Sequence, residues 1–189
     1  MTNHSNLPII VAISGASGSI YGIRLLEELK KLKQKTILVV SNMGFTTLKQ
    51  ELNLSPKEVI ALADDYYENS NLSAPISSGS YLCQGMIVAP CSIKSLSGIA
   101  NSYNDNLITR SADVILKEKR KLILLVRESP LHLGHLQLMV QATSCGAIIC
   151  PPMPAFYNSP ETINDVVSHS VFRTLDLLNI TNNYKKRWH

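Results

Sequence analysis

The chain of 189 residues contains no apolar run near the ~20 residues that a membrane helix requires, so no membrane partner is expected. Its opening residues, MTNHSN, carry neither the basic region nor the apolar core of a signal peptide, and a cytoplasmic location is the expectation. Four cysteines, Cys83, Cys91, Cys145 and Cys150, include no C-x-x-C pair. A chain long enough to bury about two-thirds of its unfolded surface needs no disulfide staples, and reduced, mostly buried thiols are expected. Charge of one sign is scarce: the net charge is +4, with basic clusters only at KEKRK (117–121) and KKR (185–187). That excess suits an anionic small molecule and argues only weakly for nucleic acid, so no nucleic-acid partner is expected. No repeat or low-complexity linker divides the sequence, so a single domain over 1–189 is expected, with peripheral tails at 1–7 and 180–189.

What is present alternates. PIIVAIS, KTILVVS, GMIVAP, KLILLV and GAIICP are short unalternating apolar runs, the pattern of strands buried on both faces. Between them lie amphipathic stretches that predict helices: IYGIRLLEELKKL, SPKEVIALADDYYE, SIKSLSGIA, NLITRSADVILKEKR, HLGHLQLMVQAT and TINDVVSHSVFRTLDLL. Strands alternating with helices predict a three-layer α/β fold with a mainly parallel sheet. Two long irregular pieces, 69–85 and PPMPAFYNSP (151–160), are candidate site loops, because open parallel sheets bind ligands beyond the carboxyl ends of their strands.

The first strand ends in SGASGSIYG (14–22). A P-loop is excluded, since no lysine follows Gly15 or Gly18 at the required spacing. A dinucleotide fingerprint is excluded too: the glycines fall at 15, 18 and 22, and Ser41 stands where a ribose-binding carboxylate belongs. No Tyr-x-x-x-Lys pair supports a short-chain dehydrogenase. There remain Ser14, Ser17 and Ser19 beside glycines at the positive end of a helix, which suits one phosphate of a mononucleotide or, equally, a tight turn whose serines only cap the helix. A second hydroxyl-rich turn, Ser92 to Ser95 after Pro90, favours the first reading, because two such loops on neighbouring strands can hold a flavin's phosphate and ring.

The segments ISGASGSIYGIRLLEEL, CSIKSLSGIA, DNLITRSADVILKEKRKLILLVRESP and PPMPAFYNSP resemble the flavin prenyltransferases of the UbiX type, over about residues 9–178. The resemblance implies a Rossmann-like flavoprotein fold and assembly as a homo-oligomer, usually a dodecamer. It implies transfer of a dimethylallyl group from dimethylallyl monophosphate to reduced FMN, whose prenylated form serves a UbiD-type decarboxylase. The flavin side would be Gly15, Ala16, Ser17, Ser41, Ser92, Ile93, Lys94, Ser95 and Arg127. Tyr157, Arg173, Lys117, Ser78 and Gly79 would hold the donor phosphate, whose departure needs cations and hydroxyls. Glu128 would handle protons near the flavin, Glu51 is a second carboxylate, and Arg110 would organise the charges. Val126 stands where the family commonly has proline, and Ser111 where alanine is usual.

Other signals carry less. DDYYE (64–68) is similar to the magnesium-binding acids of isoprenoid diphosphate enzymes, but those are all-helical; here it reads as a solvated helix end. No metal is expected, because a monophosphate held by Arg, Lys and Tyr needs no metal bridge. His132 and His135 share a helix face without further ligands and read as packing or oligomer-contact residues. Trp188, in the tail NYKKRWH, favours docking of that tail on a neighbouring subunit. Two alternatives are a flavin-dependent cysteine decarboxylase, which the absence of histidine between His4 and His132 disfavours, and a non-catalytic flavin carrier, which has no use for a second phosphate pocket.

Overall fold

The computed structural model describes residues 7–182 and 184; the N-terminal tail before Leu7, the KKR cluster and Trp188 lie outside the described residues. Six strands form one sheet: β1 (Ile9–Ile13), β2 (Thr36–Val40), β3 (Asp65–Glu68), β4 (Gly85–Cys91), β5 (Lys121–Val126) and β6 (Ile148–Ile149). Their order is β3-β2-β1-β4-β5-β6 and every pairing is parallel. Strand order reverses between β1 and β4, so the crevice beyond their carboxyl ends is where this topology binds ligands.

Among the described residues the helices are α1 (Ser19–Lys31), α2 (Asn42–Leu52), α3 (Pro56–Ile60), α4 (Ile93–Ala100), α5 (Leu107–Lys117), α6 (Leu133–Ser144) and α7 (Ile163–Leu177). They divide between the faces. Ile9, Val11 and Ile13 of β1 pack with Leu25, Leu26 and Leu29 of α1, Leu48 of α2, and Val167, Val171 and Leu175 of α7. Ile10 and Ala12 point the other way, into Leu96 and Ile99 of α4, Ala112 and Ile115 of α5, and Ala142 of α6. Both faces are covered, which explains why β1, β2 and β4 are buried at every position and read as unalternating apolar runs.

One expected helix is mostly something else. In SPKEVIALADDYYE only Pro56–Ile60 is helical, started by the capping box of Ser55 and Glu58. DYYE is strand β3, not a helix end: Asp64 accepts from the Thr36 amide at 2.8 Å and lays the segment against β2, with Tyr66 and Tyr67 half-buried on opposite faces. Helix α2 was not foreshadowed by its weak pattern; Ser41 caps it, accepting from the Gly44 amide at 3.0 Å. All four cysteines are free, and Cys145 departs from expectation by being exposed. Burial pushes the Cys91 thiol up to about 12. No helix among the described residues is long and apolar enough to cross a membrane.

Candidate active site

The loops after β1, β2 and β4 meet at the carboxyl edge. Gly15 is required by close approach: a Cβ there would lie 2.3 Å from the Cβ of Met43 at the start of α2. Gly18 holds φ at 96°, a left-handed conformation that side chains disfavour. The serines divide their work. Ser14 is buried and its hydroxyl donates to the Pro90 carbonyl at 2.8 Å while accepting from the Ser92 amide at 2.8 Å. Ser19 is buried and donates to Thr47. Ser41 and Ser92 cap α2 and α4. None of the first-loop serines caps α1, whose N-cap is Gly18 without a side-chain bond, and of the three only Ser17 is exposed.

Glu51 occupies the positive end of α1. Its carboxylate accepts from the Gly18 amide at 3.0 Å and the Ser19 amide at 2.9 Å, two of the groups that the sequence offers to a phosphate. Partial burial pushes this carboxyl up, but the bonds from Ser17, Ser19 and Gly18 outweigh it and hold it below the usual range. Glu51 is thus ionised near neutrality. The amino end of α4, with Ser92, Ile93, Lys94 and Ser95, remains as an anion-facing terminus beside the crevice.

Arg127 and Glu128 follow β5. The Arg127 amide donates to the Cys91 carbonyl at 3.0 Å, tying the end of β5 to the β4 loop. Burial raises the phenol of Tyr21 on α1 and the positive charge of Arg127 lowers it, with a net rise. Glu128 is exposed and its carboxylate accepts from the Ser129 amide at 3.0 Å. Gly15, Ala16, Ser17, Ser41, Ser92 to Ser95, Arg127 and Glu128 therefore border one crevice, ending strands that are neighbours in the sheet. Its make-up fits FMN: a helix terminus for the phosphate, a cation, and a carboxylate at the rim.

The residues that the resemblance assigns to the donor phosphate do not lie together within one chain. Lys117 ends α5, paired with Glu118 and beside the turn of Ser78 and Gly79. That turn is gripped by two arginines: Arg110 donates to the Ser77 carbonyl at 3.2 Å, and Arg120 to the Gly79 carbonyl at 2.9 Å and the Tyr81 carbonyl at 2.8 Å. The 69–85 segment runs along α5, from Asn69, which accepts from the Ile108 amide, to Gly79 at the other end. Ser78, Gly79 and Lys117 thus lie by the amino edge of the sheet, not its carboxyl edge. Tyr157 and Arg173 belong to the opposite face. Arg173 lies on α7 in a small cavity with Cys150, Pro151, Met153 and His169, and the Tyr157 hydroxyl is 3.1 Å from His169 Nε2.

Sequence reasoning missed Arg120, His169 and the tying role of Ser14. Nothing in KEKRK distinguishes Arg120 from its neighbours, and His169 meets Tyr157 only because α7 folds back over β6. The rings of His132 and His135 lie against each other at a tilt of 36°, centroids 3.6 Å apart, and His132 Nδ1 caps α6 by accepting from the Gly134 amide. Among the described residues no group of three or more His, Cys, Asp or Glu side chains is placed to hold a metal ion.

The Flavoprotein family profile matches residues 1–171. The chain is 54% identical over 173 residues to the flavin prenyltransferase UbiX of Salmonella typhimurium, covering 91% of this chain and 92% of that one. The chain belongs to the flavin prenyltransferase family. Among solved structures, the prenyltransferase fold seen here matches AnUbiX in complex with FMN and dimethylallyl pyrophosphate, with a TM-score of 0.91, 42% identity, and coverage of 95% and 100%. It also matches a dodecameric FMN-dependent UbiX-like decarboxylase from Escherichia coli O157:H7, with a TM-score of 0.94, 44% identity, and coverage of 97% and 100%. As a flavin prenyltransferase, the chain is an enzyme whose acceptor is a flavin.

Proposed function

We propose that this chain transfers the dimethylallyl group of dimethylallyl monophosphate to N5 and C6 of reduced FMN, within a homo-oligomer of dodecamer type in the cytoplasm, and that its product serves a UbiD-type decarboxylase. The observation that carries this reading is the crevice at the β1/β4 reversal, bordered by the α4 terminus, Arg127 and Glu128, in a chain 42% identical to one solved with FMN and a dimethylallyl donor.

Reduced FMN supplies two nucleophilic ring positions. The chain supplies the rest. Gly15, Ala16, Ser17, Ser41, Ser92, Ile93, Lys94 and Ser95 bind the flavin, and Arg127 holds it against α1. Transfer breaks the allylic C–O bond, and negative charge grows on the departing phosphate; Lys117, Arg173, Tyr157 and the Ser78–Gly79 turn stabilise it. The bond at C6 forms as the prenyl C=C takes up a proton and C6 attacks the cation so made, and the ring proton then lost passes to Glu128 at the crevice rim. Glu51, ionised and fixed to α1, adds a second carboxylate at the flavin loop, and Arg110 holds the Ser78–Gly79 turn in position.

Since Lys117 and Arg173 lie on opposite faces of the sheet, the donor pocket is completed by a second copy of the chain. Large exposed apolar side chains near both halves support such contacts: Met153, Phe156 and Ile163 before and on α7, and Leu133, Leu136 and Val140 on α6.

Anaerobic incubation with reduced FMN and dimethylallyl monophosphate, followed by mass analysis, tests the function. A gain of one five-carbon prenyl unit is expected; its absence while FMN is bound overturns the reading. Glu128→Gln is expected to bind FMN normally and lose turnover. A flavin carrier would be indifferent to that change.

A further inference from the structure

His169 has no role in the preceding account, yet its position is specific. Its Nε2 lies 3.1 Å from the hydroxyl of Tyr157, with the rings edge-on at 5.8 Å and 88°. Arg173 follows His169 by four residues, one turn along α7, and both line the small cavity that also contains Cys150. Burial first, and then the positive charge of Arg173, hold the imidazole below its ordinary value, so it is neutral near pH 7. The other titratable groups around it are the Tyr184 phenol, 6.1 Å away ring to ring, Asp165 one turn earlier on α7, and the Cys150 thiol at the end of β6.

A hydrogen bond joins Tyr157 to His169, and its direction decides whether the phenol gives His169 its O–H or its lone pairs. With Nε2 bare, the phenol donates to the imidazole and turns only lone pairs outward, which repel a phosphate. With a hydrogen on Nε2, the imidazole donates to the phenolic oxygen, and the O–H is released to point at an anion. A phosphate arriving beside Arg173 offsets the charge that disfavours protonation of His169, so anion binding and the second arrangement reinforce each other.

We propose that His169 is a positioning residue that sets the donor direction of the Tyr157 hydroxyl, so that binding of the donor phosphate is coupled to a hydrogen on His169 Nε2. The proposal rests on the reading of Tyr157 and Arg173 as phosphate ligands.

The test measures donor KM and kcat anaerobically, with reduced FMN and dimethylallyl monophosphate between pH 5.5 and 8.5, for the wild type, His169→Leu, His169→Gln, Tyr157→Phe and the double variant His169→Leu/Tyr157→Phe. His169→Leu is expected to raise donor KM about tenfold at pH 7 with kcat changed less than about threefold and FMN binding unchanged. His169→Gln, whose amide donates to the phenol at any pH, is expected to return KM to within about threefold of wild type. The ratio of wild-type KM to that of His169→Gln is expected to fall as pH drops through the imidazole range; the donor's own ionisation affects both enzymes and cancels. The double variant is expected to match Tyr157→Phe alone, because the two residues act through one bond.

A wild-type KM for His169→Leu while Tyr157→Phe is impaired overturns the role of His169 and leaves the donor site standing. So does a pH-independent ratio to His169→Gln, which remains measurable should the leucine variant fail to fold. An unchanged KM in Tyr157→Phe overturns the donor-site reading and this proposal with it.

Discussion

The hydroxyl of Ser14 ties the loop after β1 to the loop after β4, donating to Pro90 and accepting from the amide of Ser92, each at 2.8 Å. These are the two strands at which the sheet order reverses. Ser14→Ala strands the Ser92 amide at the base of the crevice. The expected cost is about 1–3 kcal/mol, since a buried donor loses its acceptor, and the Tm falls by about 2–12 °C. Thermal melts check this, and saturating FMN is expected to recover part of the loss by mass action. An unchanged Tm would show that the tie contributes nothing to the crevice.

Glu51 stabilises α1 as a carboxylate. Because its folded value is depressed, its contribution is present above the ordinary carboxylate range and is lost as pH falls through the folded value. Glu51→Gln is expected to cost about 0.5–1 kcal/mol at pH 7, the scale of a helix-end cap. The gap between variant and wild type is expected to close in denaturant melts carried below about pH 4. A gap of constant size across pH 3 to 7 would mean that the charge is irrelevant and only the hydrogen bonds matter.

Ser111 stands in α5 fully buried, with its hydroxyl lacking a hydrogen-bond partner. This is the position where the family resemblance leads one to expect alanine, and the structure supplies the cost of the departure. Ser111→Ala removes an unsatisfied buried hydroxyl and is expected to stabilise the protein by about 1 kcal/mol, raising the Tm by about 2–4 °C. Activity is expected to be unchanged, as the side chain faces the core and not the Ser78–Gly79 turn.

The covered sheet was legible because its central strands are apolar at every position, which only a strand with helices on both sides tolerates. The crevice was legible because glycines and serines cluster where those strands end. Strand β3 was not: DYYE follows a helical start and becomes a strand through pairing with β2 and the grip of Asp64 on Thr36, contacts between residues 28 apart. The anchor role of Glu51 was hidden for the same reason, since it reaches 33 residues back to Gly18. The partners of the serines inside the protein were not legible either. A hydroxyl beside glycine signals a loop end equally well when it caps a helix, and Ser14, Ser19, Ser41 and Ser92 all spend theirs inside the protein.

The separation of Lys117 from Arg173 yields the most discriminating prediction. Helix α5 lies between β4 and β5 in the chain and packs on one face, with Ile108 and Ala112 against Ile10 and Met86. Helix α7 follows the last strand and packs on the other, with Val167 and Val171 among the residues around Ile9 and Val11. A phosphate that needs both cations must therefore sit between copies of the chain. Lys117→Ala and Arg173→Ala are each expected to lower activity at least about tenfold, the loss of one charged contact to a transferring phosphate. Co-expressed in equal amounts and assembled at random, half of the Lys117 positions and half of the Arg173 positions are intact. Sites that draw the two from different chains are then fully furnished about one time in four, so mixed oligomers are expected to regain about a quarter of wild-type activity. Sites drawing both from one chain are never fully furnished, and activity stays at the level of the single variants. Turnover of the co-purified mixture, each chain carrying a different tag, separates the two outcomes, and failure of the mixture to rise above its parents would place the donor phosphate on one face alone.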